Sequence, residues 1–198
     1  MERKEVLIGK KTLKKRIKQL AEQITKDYEG EKVTFMCILK GSLYFFADLT
    51  RRVDLDTELE FIRISTYQGQ ESTREPQMKL YPDNPVTGKN VVVVEDIIDT
   101  GITLDYLLKE LNEQHPKSLK LCTLLDKPER REVENVNVDY VGFKIPNRFV
   151  IGFGLDLDEQ YRTLNKVYCI TDDPKEKIQE DKDNIKLQLV RKPKKKTE

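Results

Sequence analysis

The chain has little of what most metal centres and disulfide frameworks are built from. It carries one histidine, His115, and three cysteines, Cys37, Cys122 and Cys169, in 198 residues. The cysteines are odd in number, show no CxxC spacing and sit in apolar stretches. They read as reduced core thiols rather than as a disulfide set. No His/Cys cluster has zinc-ligand spacing. His115 precedes Pro116 at the end of a helical pattern, where a solvated helix end is the better reading than a catalytic one. No apolar run approaches membrane-spanning length. The start, Met1-Glu2-Arg3-Lys4, is too charged for a secretory leader, so a cytoplasmic protein is expected. Charge of one sign is lacking too. The net charge is +1 although 36% of residues are charged, so the whole molecule is not an obvious nucleic-acid binder. Walker A and Rossmann glycine patterns are absent.

What is present centres on Val91-Val92-Val93-Val94-Glu95-Asp96-Ile97-Ile98-Asp99-Thr100-Gly101-Ile102-Thr103. Four consecutive valines have no alternation, the mark of a parallel strand buried on both faces. Leu104, Leu107, Leu108 and Leu111 then recur at helical spacing. The stretch is strand, polar loop, helix, and in open α/β sheets that strand-end crevice is where ligands bind. Gly101 permits a tight turn, Thr100 and Thr103 supply hydroxyls, and Thr103 is a plausible N-cap. A helix start there offers amides and a positive dipole end to an anion. Glu95, Asp96 and Asp99 beside an anion site suit sugar hydroxyls, a divalent cation or proton transfer. A surface loop that merely carries acids is the plainer alternative.

The remaining elements fall in order. Residues 12–28 read as a helix ended by Gly30. Residues 33–39 read as a buried strand, followed by Lys40-Gly41-Ser42 and an apolar helix; alone, this is an ordinary turn with Ser42 as N-cap. Glu58 to Ile64 reads as a strand near the sheet edge. Residues 65–79 are polar and long for a connection, which suggests either a lid or disorder. Leu119 to Leu125 is a strand ending in Asp126-Lys127-Pro128, with Arg130, Arg131 and Glu132 expected in solvent. Val138 to Ile145, Phe149 onward and Val167 to Thr171 are further strands. Asp156-Leu157-Asp158 has a partial look of an aspartyl-nucleophile phosphatase, but Glu159 and the late position argue against it. Beyond Asp172, Ile178, Ile185, Leu187 and Leu189 are too sparse for a firm helix, and Lys192-Pro193-Lys194-Lys195-Lys196 is a basic end.

The Val91 to Thr103 stretch resembles the phosphoribosyl-diphosphate-binding motif of type I phosphoribosyltransferases. Leu39-Lys40-Gly41, Leu125-Asp126-Lys127-Pro128 and Phe149 to Arg162 extend the resemblance to the 6-oxopurine branch, over about Val6 to Ile170. The resemblance implies an α/β fold: a central, mainly parallel sheet flanked by helices, a small hood from the N- and C-terminal segments, and a flexible lid loop at 65–79 carrying Thr66 and Tyr67. The domain would span 1–172, with 173–198 a charged, flexible tail. It implies Lys40, Gly41, Glu95, Asp96, Asp99, Thr100, Gly101, Ile102, Thr103 and Arg162 for phosphoribosyl diphosphate, with Asp99 catalytic. Lys127, Phe149, Val150 and Asp156 would serve the purine, and Glu95, Asp96 and Asp156 would serve Mg²⁺. A non-proline cis peptide is implied at Leu39-Lys40, and a homodimer or homotetramer for the assembly. A second reading keeps the fold as a regulator that binds phosphoribosyl diphosphate without catalysis; a third is transfer to another base such as xanthine. Neither a DNA-binding module nor a membrane anchor is visible, so nucleic acid is an unlikely partner on this reading.

Overall fold

The computed structural model describes residues 4–66, 76–170 and 175–189. Its main sheet has six strands in the order β4-β3-β2-β5-β6-β7. These are β2 (Val33–Ile38), β3 (Thr57–Thr66), β4 (Pro76–Leu80), β5 (Asn90–Ile98), β6 (Ser118–Asp126) and β7 (Tyr140–Lys144). β2, β3, β5, β6 and β7 run parallel, and β4 is antiparallel at one edge. Helices α1 (Lys10–Asp27), α2 (Leu43–Thr50) and α3 (Ile102–Asn112) cover it. A smaller antiparallel sheet joins β1 (Lys4–Ile8), β9 (Val167–Ile170) and β8 (Phe149–Ile151). This is the expected hood, built from the two ends of the domain.

The valine run behaves as its lack of alternation implies. Val91 to Val94 are all fully buried. Val92 and Val94 enter the core shared with α1 and α2; Val91 and Val93 enter the core under α3. A strand with apolar side chains on both faces has one stable place, between two helical layers. Chain order then sets the site. From β2 the chain steps to β3 on one side; from β5 it steps to β6 and β7 on the other. β2 and β5 are therefore neighbours whose following loops diverge, and the crevice between them opens at the sheet's carboxyl edge. The three cysteines are free and buried, as expected, with burial pushing the Cys37 thiol up to about 11.

Three expectations change. β3 lies near the sheet edge, as expected, but the edge strand itself is β4, whose residues Pro76–Leu80 fall largely inside the span assigned to the lid. Lid residues 67–75, including Tyr67, lie outside the described residues. Helix α3 starts at Ile102 with Gly101, at φ 87°, as its N-cap, so Thr103 lies within the first turn. The tail expected to be flexible contains helix α4 (Lys175–Gln188). Its few apolar residues are spaced seven apart, two full turns, so Ile178 and Ile185 share one face and reach the main core at 1% and 2% exposure. Sparse spacing hid a helix that tertiary contact stabilises.

Replacing Ile178 or Ile185 by Ala is expected to lower unfolding free energy by about 2–4 kcal/mol, read by urea denaturation. Leu187→Ala, at a position 56% exposed, should change it little. Equal, negligible effects at all three positions would refute the docking of α4.

Candidate active site

Two loops form the floor of the crevice. After β5, residues Asp99, Thr100 and Gly101 lead into α3, whose first-turn amides have no helical acceptor of their own. Gly101 needs its left-handed backbone, and a Cβ there would also lie 2.7 Å from Val133 Cγ2. After β2, the chain turns through a cis Leu39-Lys40 peptide, as the family resemblance implied. Ser42 precedes α2 but makes no side-chain cap; its hydroxyl donates to the Ile38 carbonyl instead. A cleft of about 240 Å³ is lined by Gly41, Glu95, Asp99, Thr100, Gly101 and Thr103.

Between the loops lie two carboxylates that have left water. Burial, then the charge of Asp96, raises the Glu95 carboxyl well above its ordinary value. Burial likewise raises Asp96, partly offset by hydrogen bonds. Asp96 Oδ1 accepts from the Ile97 amide at 2.8 Å. Glu95 Oε2 is buried with no hydrogen-bond partner among the described residues. An orphaned carboxylate oxygen facing a cleft is a place where a cation or a sugar hydroxyl relieves a desolvation penalty. Among the described residues no group of three His, Cys, Asp or Glu could hold a metal by itself. A cation here would need oxygens from its ligand.

The hood closes on this floor through contacts that exclude side chains. A Cβ on Gly41 would lie 1.8 Å from Asp96 Oδ2, and one on Gly154 would lie 1.8 Å from the Gly41 carbonyl oxygen. The 152–162 segment is thereby stacked on the Lys40-Gly41 loop. Arg162 donates to the Gly154 carbonyl at 2.9 Å and pairs with Asp156 Oδ1 at 2.9 Å. Glu159 bridges the two cations expected to face a polyanion, 2.9 Å from Lys40 Nζ and 3.4 Å from Arg162. The hydrogen bond from Lys40 lowers the Glu159 carboxyl.

On the other flank, Asp99 stands between two bases. Arg130 Nε donates to Asp99 Oδ1 at 2.9 Å, and Lys127 Nζ lies 3.9 Å from Oδ2. Burial lowers the Lys127 ammonium, against the opposing charge of Asp99. The Lys127 amide also donates to the Ile98 carbonyl, fixing the loop after β6 to β5. Arg130 and Glu132 are exposed, as expected, while Arg131 is half-buried. Arg131 is paired with buried Asp126 at 2.6 Å, and the Glu132 amide donates to the Thr100 carbonyl. The short 3₁₀ turn Pro128–Arg130 brings them back over the loop; a run of three charged residues carries no sign of that return.

The structure thus gathers Lys40, Gly41, Glu95, Asp96, Asp99, Thr100, Gly101, Thr103 and Lys127 around one crevice, with Asp156 and Arg162 at its hood side. Ile102 opens α3. Phe149 and Val150 stand apart from these contacts, at the start of β8. Phe149 is half exposed, while Val150 is buried and paired with Cys169. Sequence reasoning missed Arg130 and the bridging role of Glu159.

This arrangement has known relatives. The phosphoribosyl transferase domain model matches residues 5–158. The chain belongs to that family. It is 45% identical over 162 residues to a hypoxanthine phosphoribosyltransferase of Buchnera aphidicola subsp. Schizaphis graminum, covering 80% of this chain and 91% of that one. It is 46% identical over 160 residues to a hypoxanthine-guanine phosphoribosyltransferase of Lactococcus lactis, covering 80% and 86%. A solved hypoxanthine-guanine phosphoribosyltransferase of Bacillus anthracis, with a HEPES molecule in its active site, superposes at a TM-score of 0.80 with 45% identity. The match takes in 84% of this chain and 98% of that one.

In metal-free protein, Glu95→Gln is expected to raise the melting temperature at neutral pH. The Glu95 carboxyl is raised on folding, so its contribution is fully present below the ordinary value of 4.5 and is lost as pH rises through the elevated folded value. The advantage of the variant should therefore shrink as pH falls toward 4.5. Thermal melts showing no pH-dependent difference would contradict the desolvation of Glu95.

Proposed function

We propose that this protein transfers the 5-phosphoribosyl group from phosphoribosyl diphosphate to N9 of hypoxanthine or guanine, giving IMP or GMP and diphosphate in purine salvage. The observation that carries the reading is Asp99 held between Lys127 and Arg130 at the lip of the α3 anion cradle. One end of the crevice suits a phosphate and the other a base with an oxygen to accept from lysine.

The roles follow from chemistry. The amides opening α3, with Thr100 and Thr103, hold the 5′-phosphate. Glu95 and Asp96 take the ribose hydroxyls. Lys40 and Arg162 receive the diphosphate, which displaces Glu159 between them. Phe149 stacks on the purine, the Val150 backbone reads one edge, and Lys127 donates to O6. As the C1–oxygen bond to diphosphate breaks, N9 bonds to C1 and Asp99 takes the proton from N7. Charge growing on the departing diphosphate is met by Lys40 and Arg162.

Mg²⁺ fits this donor set. It favours one or two carboxylates with phosphate oxygens and waters, and Glu95 has a buried oxygen without a partner among the described residues. Glu95 and Asp96 would serve one ion and Asp156 a second, and the ions would supply charge neutralisation of the diphosphate. Among the described residues no helix is long and apolar enough to cross a membrane, and a cytoplasmic location fits this role. Leu43 and Tyr44 on α2, Leu59 and Phe61 on β3, and Leu80 on β4 are exposed apolar residues. Phe61 meets Phe46 of α2 at 5.5 Å between ring centroids, and Arg63 pairs with Leu80, placing Leu59, Phe61 and Leu80 on the α2 face. Such a face suits a homodimer or homotetramer.

Nucleotide formation with phosphoribosyl diphosphate, Mg²⁺ and each of hypoxanthine, guanine, xanthine and adenine tests the reading. Turnover of hypoxanthine or guanine and rejection of adenine are expected, because adenine leaves the Lys127 donor facing another donor at about 1–3 kcal/mol. Asp99→Ala should slow turnover about 10²- to 10⁴-fold, and Lys127→Ala should relax the choice of base. Saturable binding of phosphoribosyl diphosphate with no turnover of any base would make the regulator the better reading. Sedimentation should give a dimer or tetramer; a monomer would remove that assignment.

A further inference from the structure

The geometry points to α4 as a clamp that sets the purine-facing turn between β7 and β8, with Asp181 and Gln188 as its positioning residues. This rests on β8 being a wall of the base subsite.

β7 is the last strand of its sheet, so among the described residues its outer edge has no strand to pair with. Gln188 supplies that pairing. Its Oε1 accepts from the Lys144 amide and its Nε2 donates to the Lys144 carbonyl, both at 2.8 Å. One side-chain amide thus copies the two bonds that a neighbouring strand would offer. Four residues on, Arg148 Nε donates to Asp181 Oδ2 at 2.5 Å, with side chains 8% and 14% exposed. Phe149 follows directly. Between these two ties, the Ile145 amide donates to the carbonyl of Asp126, the residue before Lys127. The turn is held at both ends by α4 and in its middle by the strand that carries Lys127.

The helix is itself anchored. Ile178 and Ile185 are buried in the main core, and Lys182 Nζ approaches Glu5 Oε2 of β1 at 3.9 Å. It therefore joins the hood strand, the sheet edge and the turn. α4 starts at Lys175, beyond residue 158, where the match to the phosphoribosyl transferase domain model ends. Among the described residues, the contacts of α4 run to β1, β7, the core and the turn before β8. Loosening the clamp should therefore move the base and leave the donor of the phosphoribosyl group alone. A residue that only supports the fold would not divide the two substrates in this way.

The test is steady-state kinetics of the full chain with hypoxanthine or guanine, comparing Asp181→Asn, Gln188→Ala, the reciprocal pair Arg148→Asp with Asp181→Arg, and Phe149→Ala. The two single clamp variants are expected to raise KM for the base roughly ten- to a hundredfold, with KM for phosphoribosyl diphosphate within about twofold and kcat at saturating base near that of the parent. The reciprocal pair should recover most of the loss in Asp181→Asn. Gln188 makes its contact at an exposed site, so that variant keeps the fold if Asp181→Asn does not. Equal shifts of both KM values, a fall in kcat alone, or unchanged kinetics would overturn the clamp. If Phe149→Ala raises KM for the base and the clamp variants do not, the clamp alone falls. If none of them moves it, β8 is no wall of the base subsite, and both readings fall together.

Discussion

Asp96 lies against the backbone of Gly41, and the carbonyl of Gly41 lies against Gly154. Neither approach leaves room for a β-carbon. Through this stack a carboxylate at the end of β5, the loop after β2 and the hood are held at van der Waals distance. Asp96 is buried at this contact, and the neighbouring Glu95 has a buried oxygen without a hydrogen-bond partner among the described residues. The contact also brings the 154–162 segment, with Asp156, Glu159 and Arg162, over Lys40. A side chain at either glycine would separate the hood from the floor.

The charges around this stack are arranged for a ligand. Burial of Glu95 and Asp96 favours their neutral forms, a cost that the folded chain carries in the absence of a cation or sugar hydroxyl. The basic groups are already engaged with internal acids, Lys40 and Arg162 with Glu159, and Lys127 and Arg130 with Asp99. These pairs are substantially exposed, apart from Lys127 and Arg162, and exposed pairs contribute little to stability. An incoming polyanion therefore meets little resistance in replacing a carboxylate. At Asp99 the same arrangement holds an acceptor beside a lysine whose charge is disfavoured by burial.

The family relationship and the tertiary contacts bear on different parts of the chain. The parts at the switch point lie within residues 5–158, and they need only the sheet order and the two loops. α4 lies beyond that span and reaches the turn before Phe149 by two polar contacts, at Arg148 and Lys144.

The sequence by itself determined the centre of the molecule. Four valines without alternation are stable between two apolar layers, and the acids, glycine and threonines after them fall at the strand end, where they line the cleft. Burial of the cysteines followed from their apolar surroundings in the same way. Only the tertiary structure decided the rest. Nothing local distinguishes Arg130 from a solvated arginine, because its partner Asp99 is 31 residues away in sequence. Glu159 meets Lys40 across 119 residues. Helix α4 has two buried isoleucines in a charged run, too weak a pattern to define a helix alone, and it is stable because β1, β7 and the core supply the other half of each contact. Local pattern reports which side chains must leave water; which distant partner they meet is set by the closure of the sheet and hood.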